Sequence, residues 1–152
     1  MFKELHSDPH LFVEGASPND VTQGILGNCW FVSACSALTH NQHLLNRVIP
    51  DAPRQEWDPK NEYAGVFRFR FWRFGRWVEV VIDDLLPTRD GRLLFARSKT
   101  PNEFWSALLE KAFAKVKEVL AEYYTLCNDE KGMTRAVLSV DRTARVFLYL
   151  EK

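Results

Sequence analysis

From Val66 to Asp84, hydrophobic and polar positions alternate nearly one for one in "VFRFRFWRFGRWVEVVIDD". Phe67, Phe69 and Phe71 fall on one face of the first run, and Val78, Val80 and Ile82 on one face of the second. A period of two is the strand signal, and "RFGR" between the runs is a tight turn. The segment therefore predicts an antiparallel hairpin with one face in a core. Elsewhere the period lengthens. "CWFVSACSAL" from Cys29 predicts a mostly buried helix ending near "THNQ", and "HLLNRVIP" a short helix closed by Pro50. "SKTPNEFWSALLEKAFAKVKEVLAEYY" predicts a long helix capped by Thr100 before Pro101. Phe104, Leu108, Lys111, Ala112 and Lys115 trace its period, with the apolar members facing inward, and Glu103 opens it. "RDGRLLFA" predicts a turn and a third short strand, and "RAVLSVDRTARVFLYL" one or two strands. Residues 1–28 and "DAPRQEWDPKNEY" are turn-rich and predict irregular chain.

Composition narrows the class. A length of 152 residues suits one domain or a large piece of one. The 46% apolar share, with five Trp and eleven Phe, is that of a folded core rather than a disordered chain. Lysines plus arginines equal aspartates plus glutamates at 20 each, so nothing points to a nucleic-acid or anionic-membrane partner. The longest nearly apolar run, Cys29 to Leu38, falls short of the roughly 18 residues of a membrane span. "MFKELHSDPH" has no apolar segment of a secretory signal, so a soluble, cytoplasmic protein is expected. Three cysteines suit a reducing compartment. On one helix, Cys29 and Cys35 would lie about 9 Å apart along the axis, too far for a disulfide.

Cys29 is the residue with the most chemical promise. It closes the glycine-punctuated loop "QGILGN" and opens the apolar helix. A helix N-terminus favours a thiolate through its unpaired N–H groups and dipole. An acyl-transfer nucleophile also needs donors aimed at the developing oxyanion. The Cys29 backbone N–H is one such donor. The side-chain amide of Gln23 is the other, if Gly24 and Gly27 let the loop fold back. Trp30 would wedge the helix start into the core. On the residues alone, a cysteine in an apolar helix is more often a small buried hydrophobe, and that reading stands for Cys35 and Cys127.

Three ordered blocks then narrow the choice for Cys29. "LFVEGASPNDVTQGILGNCWFVSACSAL", "EYAGVFRFRFWRFGRWVEVVIDDLLPT" and "NEFWSALLEKAFAKV" together resemble the first half of a calpain protease core, over about residues 9–116. The resemblance implies an α+β, papain-like cysteine protease fold. Its N-terminal half would carry a central helix starting at Cys29 and a small antiparallel hairpin sheet. It implies calcium-dependent endopeptidase chemistry on polypeptide substrates, with Cys29 as nucleophile and Gln23 as oxyanion-hole amide. It also implies one calcium ion, held by the carbonyls of Val13 and Gly15 and the carboxylates of Asp20 and Glu103. Hard oxygen donors suit that ion. Without the resemblance, Asp20 is a turn residue and Glu103 an acid favoured by a helix N-terminus.

The chain departs from this pattern in two respects. Calpains take their His base and its orienting Asn from a second half, about 150 or more residues beyond the cysteine. Here about 120 residues follow Cys29, and all four histidines (His6, His10, His40 and His43) precede residue 44. Residues 117–152 match no block of the family pattern and stand as a divergent tail. The expectation is a protease core carrying the nucleophile and oxyanion half, inactive alone until a second subdomain or a full-length relative completes it. The alternative is a non-catalytic binding or regulatory fragment.

Other constellations carry less. Cys29, Cys35, His40 and His43 have no zinc-site spacing. Asp83 and Asp84 suit a strand end, and Arg68, Arg70, Arg73 and Arg76 suit a solvated strand face.

Overall fold

A computed structural model describes residues 5–25, 28–57, 63–127, 135–140 and 146–151, with side chains described up to Val116 except at Asn19. The architecture is α+β, with helices packed against small two-stranded antiparallel sheets. No helix among the described residues is long and apolar enough to cross a membrane.

Helix α1 runs Cys29–Thr39 and buries Phe31, Cys35 and Leu38, a spacing that keeps all three on one helical face. Asn41 accepts the Leu44 N–H at 3.0 Å and caps α2, Gln42–Val48, which buries Leu44, Leu45 and Val48. The segment expected to be loop after Pro50 holds a short helix instead: α3, Ala52–Gln55, with a proline in its first turn and Asp51 before it at φ 52°. Its purpose is visible at Gln55. That buried amide accepts the Arg68 N–H at 2.5 Å and donates to the Arg68 carbonyl at 3.2 Å, extending the edge of the hairpin.

The alternating segment is the hairpin it predicts. β2 is Val66–Arg73 and β3 is Arg76–Asp83. Their register pairs Phe67 with Ile82, Phe69 with Val80 and Phe71 with Val78, all on the core side. Phe74 and Gly75 form the turn at φ 46° and 76°, the left-handed pair that a two-residue hairpin loop favours. On the outer face Arg70 pairs with Glu79 at 3.3 Å and Trp72 meets Trp77 edge-on at 5.5 Å. Arg73 departs from the solvated face expected for it. It shares the inward parity of Phe71, is buried, and sets its guanidinium over the Phe74 ring.

Beyond the hairpin, β4 (Thr88–Arg89) and β5 (Arg92–Leu93) pair, among the described residues, only with each other, through a turn at Asp90 and Gly91. The expected third strand therefore does not extend the hairpin sheet. β6 (Arg97–Ser98) pairs instead with β1 (Val21–Thr22), tying the N-terminal segment down.

Helix α4, Trp105–Cys127, starts later than its sequence predicts. Residues 100–103 make a turn, closed by the Glu103 N–H on the Thr100 carbonyl at 3.1 Å. Phe104 and Trp105 then donate to the carbonyls of His10 and Leu11 at 3.0 and 3.1 Å. The N-terminal segment thus fills N–H groups that a helix start leaves open. Glu103 and Phe104 precede the helix. Leu108, Ala112, Phe113 and Val116 face the core, where the Phe113 ring lies 5.5 Å from Phe31 and 5.9 Å from Phe71. Phe113 joins α1, α4 and the hairpin in one aromatic cluster. On the solvent side the Lys111 ammonium donates to the Leu85 carbonyl at 2.6 Å, and Lys115 to that of Val81 at 2.8 Å. Further along, β7 (Arg135–Val140) pairs antiparallel with β8 (Val146–Glu151).

Candidate active site

Cys29 is the first residue of α1, and it is exposed. The helix begins where Asn28, at φ −112°, accepts the Phe31 N–H at 2.8 Å. Asn28 makes no side-chain capping bond. Its amide nitrogen donates instead to Glu110 of α4 at 2.5 Å. Trp30 does not wedge into the core. It stays 37% exposed and lays its ring edge-on to Phe113 at 5.4 Å. Phe31, Cys35 and Leu38 anchor the helix in its place. Burial drives the Cys35 thiol strongly upward, and the Glu110 charge adds to this. Cys35 is an inert core thiol, in contrast to Cys29 at the surface.

The loop before Cys29 is held from its far side. Gln23 follows β1 and is exposed. At Gly24 a Cβ would meet the Phe95 main chain at 2.4 Å, so only glycine permits this approach. Next to it the Ile25 N–H reaches the Leu94 carbonyl at 3.2 Å. Gly27, expected to share this freedom, lies outside the described residues.

The four positions expected to hold calcium divide unequally. Glu103 is 2% exposed and sits between two donors, the Val13 N–H at 2.9 Å and the Ser98 hydroxyl at 2.5 Å. Burial raises the pKa of its carboxyl above the ordinary glutamate value, and the negative charge of Asp20 pushes the same way. Asp20 accepts the Ser17 N–H at 2.6 Å. None of the ion pairs recorded among the described residues involves either acid. A buried carboxylate that feels the charge of a second, part-buried one fits a hard cation's chemistry. Val13 and Gly15 lie on the same N-terminal segment, with Glu14 and Gly15 at φ 56° and 90°. Among the described residues no three His, Cys, Asp or Glu side chains cluster, so main-chain carbonyls would have to complete this donor set.

The histidines are placed for other tasks. His40 is the C-cap of α1, at the opposite end from Cys29. His43 lies exposed on α2, and the His6 ring accepts the Asp8 N–H at 3.2 Å. His10 stands between Asp8 at 3.2 Å and Glu56 at 3.5 Å.

Residues 2–138 match the sequence profile of the calpain family cysteine proteases. The chain belongs to the calpain family. It is 87% identical over 113 residues to Calpain-5 of Caenorhabditis elegans, a span covering 74% of this chain and 17% of that protein. Calpain-5 of Mus musculus is 53% identical over 116 residues, 75% of this chain and 18% of that protein. The Calpain-1 catalytic subunit of Homo sapiens is 53% identical over 113 residues, 74% of this chain and 15% of that protein. The chain therefore spans less than a fifth of the length of these relatives.

Within this calpain-family chain, sequence reasoning passed over Asn28, Ser98 and Glu110. Glu110 interrupts the apolar run "SALLEKAF", which is a usable signal. Adjacent Lys111 interrupts it equally, however, and only the fold shows which of the two points inward. Ser98 carried no signal, since its partner Glu103 was expected inside a helix.

Proposed function

We propose that this chain is the nucleophile-bearing half of a calpain-type, papain-like cysteine endopeptidase. The observation that carries the reading is Cys29, exposed at the first turn of α1 in a chain of the calpain family. Cys29 Sγ, as thiolate, attacks the carbonyl carbon of a scissile peptide bond. The Cys29 backbone N–H and the Gln23 amide hold the oxyanion that forms. The base that took the thiol proton returns it to the leaving amine as general acid, and water, deprotonated by the same base, then hydrolyses the acyl-enzyme and frees the thiolate. His6 and His10 are engaged with Asp8 and Glu56, and His40 closes the far end of α1, which supports a His base and its orienting Asn supplied by a second subdomain or a full-length relative. The substrates are polypeptides, and a reducing cytoplasm suits the free thiols.

The carboxylates of Asp20 and Glu103 and the carbonyls of Val13 and Gly15 would hold calcium. When bound, calcium neutralises the paired acids and ties the N-terminal segment to the turn before α4. A second reading, favoured by the engagement of His6 and His10 with Asp8 and Glu56, makes the chain a non-catalytic binding or regulatory form.

Two measurements decide. The purified chain is expected to show negligible cleavage of an unfolded protein substrate with calcium. Turnover that Cys29→Ala abolishes would overturn the external base. Folded Cys29 is expected to react with iodoacetamide near neutral pH faster than the same residue in urea. Equal rates would remove the nucleophile.

A further inference from the structure

Glu110 lies in the second turn of α4, buried with only 8% exposed, and none of the ion pairs recorded among the described residues involves it. Its two oxygens reach opposite flanks of the Cys29 loop. Oε1 accepts the Asn28 side-chain amide at 2.5 Å, and Oε2 accepts the Ala96 N–H at 2.7 Å. Asn28 immediately precedes Cys29, and its carbonyl takes the N–H groups of Phe31 and Val32 at 2.8 and 3.3 Å. Ala96 follows Phe95, whose main chain lies against Gly24, and Leu94, whose carbonyl holds Ile25. Gly24 and Ile25 directly follow Gln23.

An asparagine before a helix ordinarily caps it with its own side chain. Here that bond is forgone and the side chain is drawn to Glu110. A carboxylate suits this place because it only accepts, and its two oxygens diverge toward two donors.

We propose that Glu110 is a positioning residue of the cysteine-protease site. It holds the Asn28–Cys29 helix start directly, and through Ala96 it holds the loop that carries Gln23. The role rests on the reading of Cys29 as nucleophile. One buried group on the body of the domain thus keeps nucleophile and amide donor in a common frame.

The test uses the full 152-residue chain. The rate of Cys29 alkylation by iodoacetamide is followed by peptide mass spectrometry, relative to the same variant in urea, with a thermal melt alongside. Glu110→Ala is expected to slow Cys29 about five-fold, the scale of a lost helix-start contribution. Asn28→Ala should do much the same, and the double variant should be no slower than the slower single, because both act through one contact. Glu110→Gln should restore the rate to within about two-fold, since one amide both accepts and donates. Its oxygen would take the Ala96 N–H. Its nitrogen would meet the Asn28 oxygen, which has no partner among the described residues, once that amide turns over.

A merely structural Glu110 would lower the melting temperature and leave the folded-state rate alone. A folded Glu110→Ala chain that alkylates like the parent overturns the proposal, as do single effects that multiply in the double variant. If Glu110→Ala does not fold, Asn28→Ala decides by itself, and an unchanged rate there overturns it. The parent reports on the underlying reading separately. A parent no faster folded than in urea removes the nucleophile, whereas an activated parent with indifferent variants removes only the positioning role.

Discussion

Glu103 and Glu110 are two buried acids at the same end of α4, and they hold the chain by opposite logic. Both accept two hydrogen bonds, one from a segment far away in sequence (Val13 for Glu103, Asn28 for Glu110) and one from the chain that leads into α4. The donors on Glu110 are an amide and a main-chain N–H, which suffice for a buried carboxylate. Glu103 also feels the charge of Asp20, and its proton affinity is raised. A buried carboxylate met only by donors is a clamp. One beside a second carboxylate carries surplus negative charge, which a proton or a cation removes. The same residue type therefore makes a permanent tie at one point and a conditional one at the other.

The largest expected effect comes from breaking the permanent tie. Glu110→Ala strands the buried Ala96 N–H and the Asn28 amide, at roughly 1–3 kcal/mol for each unsatisfied group. Chemical denaturation should show a loss of about 2–6 kcal/mol, the same with calcium or with a chelator. A loss present only under chelation would mean that Glu110, too, depends on a cation.

The conditional tie should respond to calcium. At a hundred-fold excess over its dissociation constant, calcium stabilises the folded chain by about 2.7 kcal/mol if it binds only that state. Glu103→Gln and Asp20→Ala should lose this gain while remaining folded, and Glu110→Gln should keep it. Calorimetry reads the same contrast directly. No calcium heat from the parent would remove the site.

What the sequence made legible divides along the same line. Short-range pattern carried the hairpin faces, the start of α1 and the stripe of α4, because period and turn chemistry are local. Long-range placement was not legible. Helix α4 begins at Trp105 rather than near Thr100 because the carbonyls of His10 and Leu11, far away in sequence, take its first N–H groups. Arg73 lies inward because strand parity outweighed its charge at the end of the hairpin. Cys29 and Gln23 stood out through the ordered blocks around them. Asn28 and Glu110 did not, since their meeting spans 82 positions of sequence. A charged residue in an apolar run says that something unusual is buried, but not what answers it.

The finest test separates the two acids by pH. The folded-state pKa of Glu103 lies above its ordinary 4.5, through burial first and the Asp20 charge as well. A group raised on folding contributes stability that is fully present below its unfolded pKa and lost as pH rises through the folded value. In chelator, the parent should therefore lose stability relative to Glu103→Gln as pH climbs from about 4 through the raised value. Asp83 works in the opposite sense, since its hydrogen bond to Lys111 lowers its pKa and that contribution fades as pH falls. The parent-minus-variant difference cancels Asp83 and every other shared group. Saturating calcium should reverse the slope, because the cation favours the ionised carboxylate that burial disfavours. Thermal melts across this range, with calcium and with chelator, give the four curves needed. Identical slopes for parent and Glu103→Gln in chelator would place the surplus charge elsewhere and make Glu103 a clamp of the same kind as Glu110.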